Sequence, residues 1–290
     1  YNRTKFSYRW WTFNMVKINL SNKKKVFLIA EAGINHGGDL KTALELVNTA
    51  KSNGADAIKF QTYKTEKRIN KKYKNIFKIL KNCELSYQDF IKINNYCKKK
   101  KIIFFSTPFD KEAVDFLETL RVPLYKIASF DISNYELIKK IIATKKPTIV
   151  STGMANISEI EKIYKYFKLN KVKLSLLHCI SSYPARDEDS YLSNIKYLIN
   201  KFNCNIGISD HTNGIKIPIY GSLLGANIIE KHIKIDDKHK CVDAPVSITG
   251  EQLQKLRVEI DKVKGILNKP TFGIKVAEKN AKIFKRKKIY

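Results

Sequence analysis

The feature that most constrains the fold is an alternation that runs through most of the chain. From Val26 onward, short apolar runs rich in β-branched residues alternate with longer segments whose apolar residues recur at helical spacing. The short runs predict eight strands: Val26–Glu31, Ala55–Phe60, Ile102–Ser106, Leu124–Ser129, Pro147–Ser151, Lys173–Cys179, Asn205–Ser209 and Ala226–His232. The longer segments predict helices at 40–53, 88–100, 110–119, 135–144, 156–168, 192–201, 215–225 and 250–266.

Eight strand–helix units within about 250 residues match the size and order of a TIM barrel, in which eight parallel strands close into a ring. We therefore predict an α/β fold with a (β/α)8 TIM barrel over residues 23–267. A doubly wound open sheet is the alternative, because periodicity cannot show whether a sheet closes. Residues 1–22 are predicted to form an N-terminal lead, and residues 268–290 a short basic linker.

The chain is strongly basic, with 55 Lys and Arg against 27 Asp and Glu and a formal net charge of +28. This excess raises the alternative of a nucleic-acid-binding protein on a barrel scaffold. Only seven of the basic residues are arginines, however, and the lysines lie in short runs along the whole chain. Because specific nucleic-acid recognition favours the arginine fork, we expect a solvated lysine-rich surface and no nucleic-acid partner.

The cysteines and the amino-terminal residues bear on where the chain works. There are five cysteines, an odd number without a C-x-x-C pair, and no secretory signal, which predicts a reduced, cytoplasmic setting. No apolar run approaches the ~18 residues of a membrane span, so no membrane contact is expected. Residues 1–14 lack periodicity, and Met15 opens the lead-in to the first strand; we expect Met15 to be the natural start.

Polar residues stand at the carboxyl end of every predicted strand, where TIM barrels carry their catalytic groups. In chain order they are Glu31; Lys59 and Gln61; Ser106 and Thr107; Lys126 and Ser129; Ser151 and Thr152; His178, Ser181 and Tyr183; Asp210 and His211; Glu230 and His232. A single polar residue at the end of a strand is common in a protein core. Polar groups at eight consecutive strand ends predict one functional rim.

Two histidines of this rim are candidates for a metal site. His211 follows the seventh strand and His232 ends the eighth, so adjacent strands are expected to bring them together. Two imidazoles completed by water and substrate oxygens form an open site that suits Mn²⁺, the expected ion, or Mg²⁺ or Co²⁺ as a Lewis acid. Each histidine alone could instead be a hydrogen-bonded core residue. The carboxylates expected to hold water or orient a ligand are Glu31, Asp131 and Asp243.

Two lysines of the rim indicate an anion pocket. Lys59 and Lys126 are flanked by the hydroxyls of Thr107, Ser129 and Ser151. Ammonium groups bind phosphate as point charges, and hydroxyls supply directed donors. The alternative is that each lysine forms a structural ion pair with Glu31 or Asp131. The chain has no P-loop, G-x-G-x-x-G or G-x-S-x-G motif, which argues against nucleotide kinases, dehydrogenases and serine hydrolases.

These residues lie in segments that resemble the sialic acid synthase family, which includes N-acetylneuraminate, legionaminate and pseudaminate synthases. The resemblance covers about residues 24–288, in order and at compatible spacing. Its segments are AEAGINHGGD at 30–39, ADAIKFQT at 55–62, FSTPFD at 105–110, KIAS at 126–129, STGM at 151–154, HC through YP at 178–184, SDHT at 209–212 and EKH at 230–232.

The resemblance implies a metal-dependent condensation of phosphoenolpyruvate with the open-chain aldehyde of N-acetylmannosamine or a related N-acetylhexosamine, with phosphate released by C–O cleavage. It implies that His211 and His232 bind Mn²⁺ or Mg²⁺, which polarises the aldehyde. Asp131 is expected to activate water, and Glu31 to act beside it. The implied substrate contacts are Lys59, Gln61, Thr107, Lys126, Ser129, Ser151, Ser181, Tyr183 and Asp243.

The chain departs from the family pattern at two places. Ser129-Phe130-Asp131 differs from the Ser-Gly-Glu of neuraminate synthases and is closer to the Ser-Phe-Glu of pseudaminate synthases, which keeps a pseudaminate or legionaminate synthase as an alternative. Family members usually continue into a small antifreeze-like domain that reaches across a dimer. We expect a homodimer, with this domain absent from the present 290 residues. A truncated or inactive paralogue is therefore a further alternative.

Another enzyme class shares the same chemistry. A 3-deoxy-ulosonate-phosphate synthase also condenses phosphoenolpyruvate on a barrel, but needs a basic site for the terminal phosphate of its acceptor. The predicted rim offers no spare arginine cluster for that purpose, which favours the nonulosonic acid synthases.

Overall fold

A ring of eight parallel strands forms the centre of the molecule. The computed structural model describes Leu20, residues 25–267 and residues 270–286, without the side chain of residue 264. The strands are β1 Phe27–Gly33, β2 Ala57–Thr62, β3 Ile103–Pro108, β4 Tyr125–Ile127, β5 Thr148–Ser151, β6 Leu174–Cys179, β7 Asn205–Asp210 and β8 Ile228–His232. Each strand pairs with the next, and β8 pairs with β1. The sheet is closed, so the TIM barrel is confirmed and the doubly wound alternative is wrong.

Helices connect the strands and surround the ring. They are α1 Leu40–Ser52, α2 Thr65–Arg68, α3 Lys74–Asn82, α4 Tyr87–Lys100, α5 Lys111–Thr119, α6 Tyr135–Ala143, α7 Ile157–Leu169, α8 Ser193–Lys201, α9 Lys216–Leu223 and α10 Gly250–Ile266. All eight predicted helices are present, with ends within two residues of the expected positions. The short helices α2 and α3, both between β2 and β3, were not predicted.

Side-chain caps account for where several helices begin. Asp39 Oδ2 accepts from the backbone N–H of Thr42 at 2.7 Å at the start of α1. Capping boxes start α7 at Asn156 and α10 at Thr249. Each cap satisfies a backbone donor that the first turn leaves without a partner, which stabilises that helix end by about 1 kcal/mol.

The inner face of the barrel is apolar at one end and polar at the other. At the amino ends of the strands, the buried inner cluster contains Leu20, Ile29, Ala57, Phe105, Leu124, Ile149, Leu177 and Ile228. Strand residues two positions apart share a face. The same inner face therefore continues, about 7 Å nearer the carboxyl ends, with the polar residues Glu31, Lys59, Thr107, Lys126, Ser151 and Glu230, all buried. An apolar plug thus supports a charged layer.

Several sequence predictions concern the ends of the chain. The predicted N-terminal lead, residues 1–22, lies outside the described residues except for Leu20. Within residues 270–286 there are two 3-10 turns, Val276–Glu278 and Asn280–Phe284, whose side chains are exposed. The domain limits stay predictions. Among the described residues, no helix has both the length and the apolar character that crossing a membrane requires.

Candidate active site

A cavity of about 170 Å³ opens at the carboxyl ends of the strands. It gathers twelve of the thirteen side chains to which the sequence analysis gave a role, namely Glu31, Lys59, Gln61, Thr107, Lys126, Ser129, Ser151, Ser181, Tyr183, His211, His232 and Asp243. Glu230, which the predicted rim contained without a role, also lines the cavity, as do side chains that the prediction did not include: Ile34, Arg68, Phe109, Phe130, Cys179 and Ser209. Most of the predicted rim therefore forms one site, whereas its members Ser106, Thr152, His178 and Asp210 do not line the cavity.

The deepest layer of the cavity holds two lysines and two carboxylates. Lys59 Nζ lies 2.8 Å from Glu31 Oε2, its neighbour in strand register, and 3.7 Å from Glu230 Oε2. Lys126 Nζ lies 3.6 Å from Glu230 Oε1. Lys59 thus pairs with Glu31, as one alternative held, whereas the partner of Lys126 is Glu230 and not Asp131. The layer contains two positive and two negative groups when all four are ionised.

Hydrogen bonds to hydroxyls complete this layer. Lys59 Nζ donates to Thr107 Oγ1 at 3.2 Å, and Lys126 Nζ donates to Ser151 Oγ at 2.6 Å. Ser209 Oγ donates to Glu230 Oε1 at 2.9 Å. The two ammonium groups are therefore held in fixed positions with hydroxyls beside them, an arrangement suited to a phosphate or carboxylate.

The lysines differ in how firmly they hold their protons. Burial opposes the charge of Glu230, but Lys126 and Lys59 outweigh it and lower the pKa of this carboxyl to about 2. Burial also opposes the charge of Lys59, yet Glu230 and Glu31 together raise its pKa. At Lys126 burial prevails and lowers the pKa. Lys126 is therefore the cation that gains most from an anionic ligand.

The backbone of Gly153 lies close to the side chains of Ser129 and Ser181 in the cavity wall beside Lys126. Gly153 N donates to Ser129 Oγ at 3.1 Å. A Cβ at Gly153 would lie 2.4 Å from Ser181 Oγ and 2.8 Å from Ser129 Oγ, closer than real contacts allow. Glycine at this position lets the three hydroxyl and amide donors face one small volume.

His211 and His232 lie side by side, with ring centroids 5.5 Å apart. His211 Nδ1 lies 2.8 Å from the carbonyl oxygen of Ile180. Because that oxygen only accepts, Nδ1 carries the proton, and Nε2 has the free lone pair that a metal ligand needs. Tyr183 stacks on the His211 ring at 4.1 Å.

His232 is the clearer candidate ligand, because its buried Nδ1 has no hydrogen-bond partner among the described residues. His232 Nδ1 lies 3.4 Å from Asp243 Oδ2. Burial lowers the pKa of His232 to about 3, which keeps the imidazole neutral as metal binding requires. No group of three or more His, Cys, Asp or Glu side chains suited to a metal occurs in the described part of the chain. The pair thus fits an open site with further ligands from water or substrate.

Gly33 lets the end of β1 pass close to these groups. Its φ is +54°, and a Cβ there would lie 3.3 Å from both Asp243 Oδ2 and His232 Cε1. Glycine adopts this left-handed conformation without the strain that other residues incur.

Of the thirteen residues with a predicted role, Asp131 is the one outside the cavity lining. It ends a 3-10 turn, Ser129–Asp131, that follows the three-residue strand β4. Asn134 Nδ2 donates to Asp131 Oδ1 at 2.9 Å. Burial raises the pKa of this carboxyl, and its half-buried position is next to Phe130 on the cavity wall. Its role in activating water stays a prediction.

Arg68 and Glu230 are the charged residues of the cavity that the prediction left without a role. Glu230 lies two residues before His232 on β8 and was predicted at the rim; strand alternation turns both side chains into the cavity. Arg68 comes from α2, whose four residues are too few for helical periodicity to reveal. Arg68 Nη1 donates to Gln61 Oε1 at 3.0 Å, and its guanidinium stacks on Phe109 at 3.8 Å.

Comparisons with known proteins show the family to which the chain belongs. The chain matches the NeuB family over residues 46–271. N,N'-diacetyllegionaminic acid synthase of Campylobacter jejuni is 36% identical over 89% of this chain and 81% of that protein. N-acetylneuraminate-9-phosphate synthase of Mus musculus is 31% identical over 87% of this chain and 74% of that protein.

A solved structure gives the same result. The N-acetylneuraminic acid (sialic acid) synthetase of Leptospira borgpetersenii in complex with citrate superposes with a TM-score of 0.86 and 38% identity, over 90% of this chain and 92% of that chain. The family match covers most of the chain, and the similarity extends through the barrel. This chain therefore belongs to the NeuB family.

Proposed function

We propose that the chain is an N-acetylneuraminate synthase-type enzyme. It condenses phosphoenolpyruvate with N-acetylmannosamine or a related N-acetylated hexosamine, giving a nonulosonic acid and phosphate. The observation that carries this proposal is the single cavity of about 170 Å³ in which an anion pocket, with Lys59 and Lys126, adjoins the neutral imidazole of His232. The names of the relatives support the same class of reaction.

The substrate anion would bind at the deep layer. The phosphate and carboxylate of phosphoenolpyruvate would be held by Lys59 and Lys126, with donors from the hydroxyls of Thr107, Ser129, Ser151 and Ser181. Glu31 and Glu230 keep both lysines in place when the pocket holds no substrate. Because the lysines are buried, each would interact with the substrate anion more strongly than in water.

His211 and His232 would hold Mn²⁺, or alternatively Mg²⁺ or Co²⁺. When bound, such an ion supplies Lewis acidity to the oxygen of the acceptor aldehyde. Asp243, beside His232, and Glu31 with its partner Gln61 would orient water and the acceptor hydroxyls. Tyr183, stacked on His211, would close the site toward solvent.

The bond changes balance as follows. C3 of phosphoenolpyruvate bonds to the aldehyde carbon, whose oxygen takes a proton and becomes a hydroxyl. Water adds to C2 and loses a proton to Asp131, acting as general base. The C2–O bond then breaks, the C2 hydroxyl gives its proton to the departing phosphate, and C2 becomes the keto carbon of the product. The hydroxyls of the anion pocket hold the phosphate while this bond breaks.

The acceptor has two named alternatives. Relatives from Campylobacter jejuni are a pseudaminic acid synthase and an N,N'-diacetyllegionaminic acid synthase, each 36% identical to this chain. The aromatic Phe130 on the cavity wall is the observation that favours these acceptors, because an apolar ring suits a sugar that has lost a hydroxyl. A cytoplasmic, homodimeric enzyme belongs to the same proposal.

Phosphate release from phosphoenolpyruvate tests the function. With Mn²⁺, the assay is run on N-acetylmannosamine and on its 6-deoxy-diacetamido relatives, and release is expected with at least one acceptor. In ¹⁸O-labelled water the label should enter the nonulosonic acid and not the phosphate. The proposal would be refuted if none of the acceptors tested led to phosphate release, or if the label appeared in the phosphate.

Variants localise the chemistry. Lys126→Met should lower kcat/KM at least 100-fold, whereas Lys162→Met, a matched change at an exposed lysine on α7, should leave it unchanged. His232→Ala should lose Mn²⁺ binding measured by calorimetry. Equal effects of the two lysine variants would argue against the assigned anion pocket.

A further inference from the structure

Behind the two histidines of the candidate metal site lies a buried ion pair that the proposed function does not use. Lys231 Nζ lies 2.6 Å from Asp210 Oδ2, and both side chains are almost completely buried. The two residues are partners in strand register and form the last such pair between β7 and β8. Strand alternation turns both side chains to the outer face of the ring, away from the cavity that Glu230 and His232 line.

Each member of the ion pair is adjacent in the chain to one histidine. Asp210 precedes His211, and Lys231 precedes His232. Because successive strand residues point to opposite faces, the ion pair on the outer face fixes the backbone from which each imidazole enters the cavity. His232 is also held by its register partner Glu31 on β1, whereas His211 lies one residue beyond the end of β7. His211 therefore depends more on contacts outside the sheet.

Thr212 supplies such contacts on the other side of His211. Its backbone N–H donates to Asp210 Oδ1 at 3.2 Å, and its hydroxyl donates to the same oxygen at 3.0 Å. Lys231 Nζ donates to the carbonyl oxygen of Thr212. The carboxylate and the ammonium group thus close residues 210–212 into a tight turn with His211 at its centre. The same network extends across to the residue that precedes His232.

Two strands that share a register do not need a buried ion pair to stay together. β7 and β8 are already paired over four residues on each strand. Taking both charges out of water is unfavourable, and an apolar pair of similar volume is often at least as stable. What the charges add is direction, because Lys231 Nζ faces both Asp210 Oδ2 and the Thr212 carbonyl oxygen. The network therefore restricts the backbone that carries the histidines more than apolar packing would.

We propose that Asp210, Lys231 and Thr212 are positioning residues that set the affinity of the two histidines for a divalent cation. The inference rests on the proposed function, in which His211 and His232 hold Mn²⁺. A site built on two imidazoles depends strongly on their separation and direction, since water and substrate complete the shell. Groups that orient metal ligands from behind contribute about ten- to hundredfold to metal affinity.

The test measures Mn²⁺ affinity by calorimetry. Asp210→Asn combined with Lys231→Met removes both charges, so no buried ion is left without a partner. This double variant should bind Mn²⁺ at least about tenfold more weakly than the parent. Its affinity for phosphoenolpyruvate in the absence of metal should stay like that of the parent, because Lys59 and Lys126 are unchanged. The Mn²⁺ concentration that gives half-maximal phosphate release should rise by the same factor as the dissociation constant.

Asp56→Asn combined with Arg257→Met is the matched control. Arg257 Nη1 also donates to a carboxylate, Asp56 Oδ2 at 3.2 Å, and to a backbone carbonyl, that of Val26 at 3.0 Å, but at the amino end of the barrel. This second double variant also loses a largely buried ion pair and should keep the Mn²⁺ affinity of the parent.

Parent-like Mn²⁺ affinity in the Asp210→Asn, Lys231→Met protein, or an equal loss in both double variants, would overturn the inference while the proposed function stands. Loss of phosphoenolpyruvate binding together with Mn²⁺ binding would also overturn it, because that result indicates a general structural role. If the parent itself binds no Mn²⁺, the metal site of the proposed function fails and the inference fails with it.

Discussion

Replacing Glu230 by glutamine should destabilise the folded protein more than any single surface change. Glu230 Oε1 lies 3.6 Å from Lys126 Nζ and its Oε2 lies 3.7 Å from Lys59 Nζ. At an effective dielectric constant of about 20, each contact is worth about 4 kcal/mol before desolvation is counted. Lys59 keeps Glu31 as a partner, whereas Lys126 has no other carboxylate within 4 Å among the described residues. Leaving one buried ammonium unpaired predicts a net loss of about 3–5 kcal/mol.

Urea unfolding at pH 7 measures this loss. Glu161→Gln on α7 is the matched control, because Glu161 pairs with Lys201 at 2.7 Å on the exposed surface, where such pairs contribute little. Phosphoenolpyruvate should stabilise Glu230→Gln more than the parent, since the substrate anion would replace the missing charge. A Glu230→Gln protein whose free energy of unfolding lies within about 1 kcal/mol of the parent would show that the charged layer is not balanced as we infer.

Three further outcomes are expected. Gly153→Ala should weaken phosphoenolpyruvate binding at least tenfold in calorimetry, because its Cβ would meet Ser181 Oγ at 2.4 Å; unchanged affinity would contradict the close packing of the pocket. Burial opposes the charge of Glu84, but the Thr65 N–H and hydroxyl lower its pKa to about 2, below the usual 4.5. Its stabilising effect is thus complete above pH 4.5 and lost as the pH falls toward 2, so Glu84→Gln should flatten the acid limb of thermal stability; parallel curves would refute this. Asp131→Asn should lower kcat at least 100-fold without changing phosphoenolpyruvate affinity, and normal turnover would exclude it as general base.

The strands and the flanking helices follow from the sequence because each carries a simple period. β2 and β8 place every second residue on the inner face, which is why Lys59 and His232 could be expected in one site. The partner of Lys126 could not be predicted in this way. Strand ends contain several carboxylates, and only the closed register of the ring decides that Glu230, and not Asp131, faces that lysine.

The connection between β2 and β3 contains the two helices that the sequence analysis did not predict, α2 and α3. α2 has four residues and α3 has nine, and the apolar positions of α3 remain largely exposed, with only Leu80 buried. The apolar residues of α3 nevertheless recur at helical spacing, so the sequence carried a signal for this helix that the prediction missed. The position of Arg68 depends instead on long-range contacts with Gln61 and Phe109, which local propensity does not encode.

The anchoring of α2 has an evolutionary consequence. Four of the groups proposed to bind phosphoenolpyruvate, Lys59, Thr107, Lys126 and Ser151, lie on the strands themselves. Arg68 is carried instead by a connecting segment that Glu84 and Thr65 hold in place. Insertions, deletions or substitutions between residues 63 and 86 can therefore change this part of the cavity wall while the ring of strands is inherited unchanged.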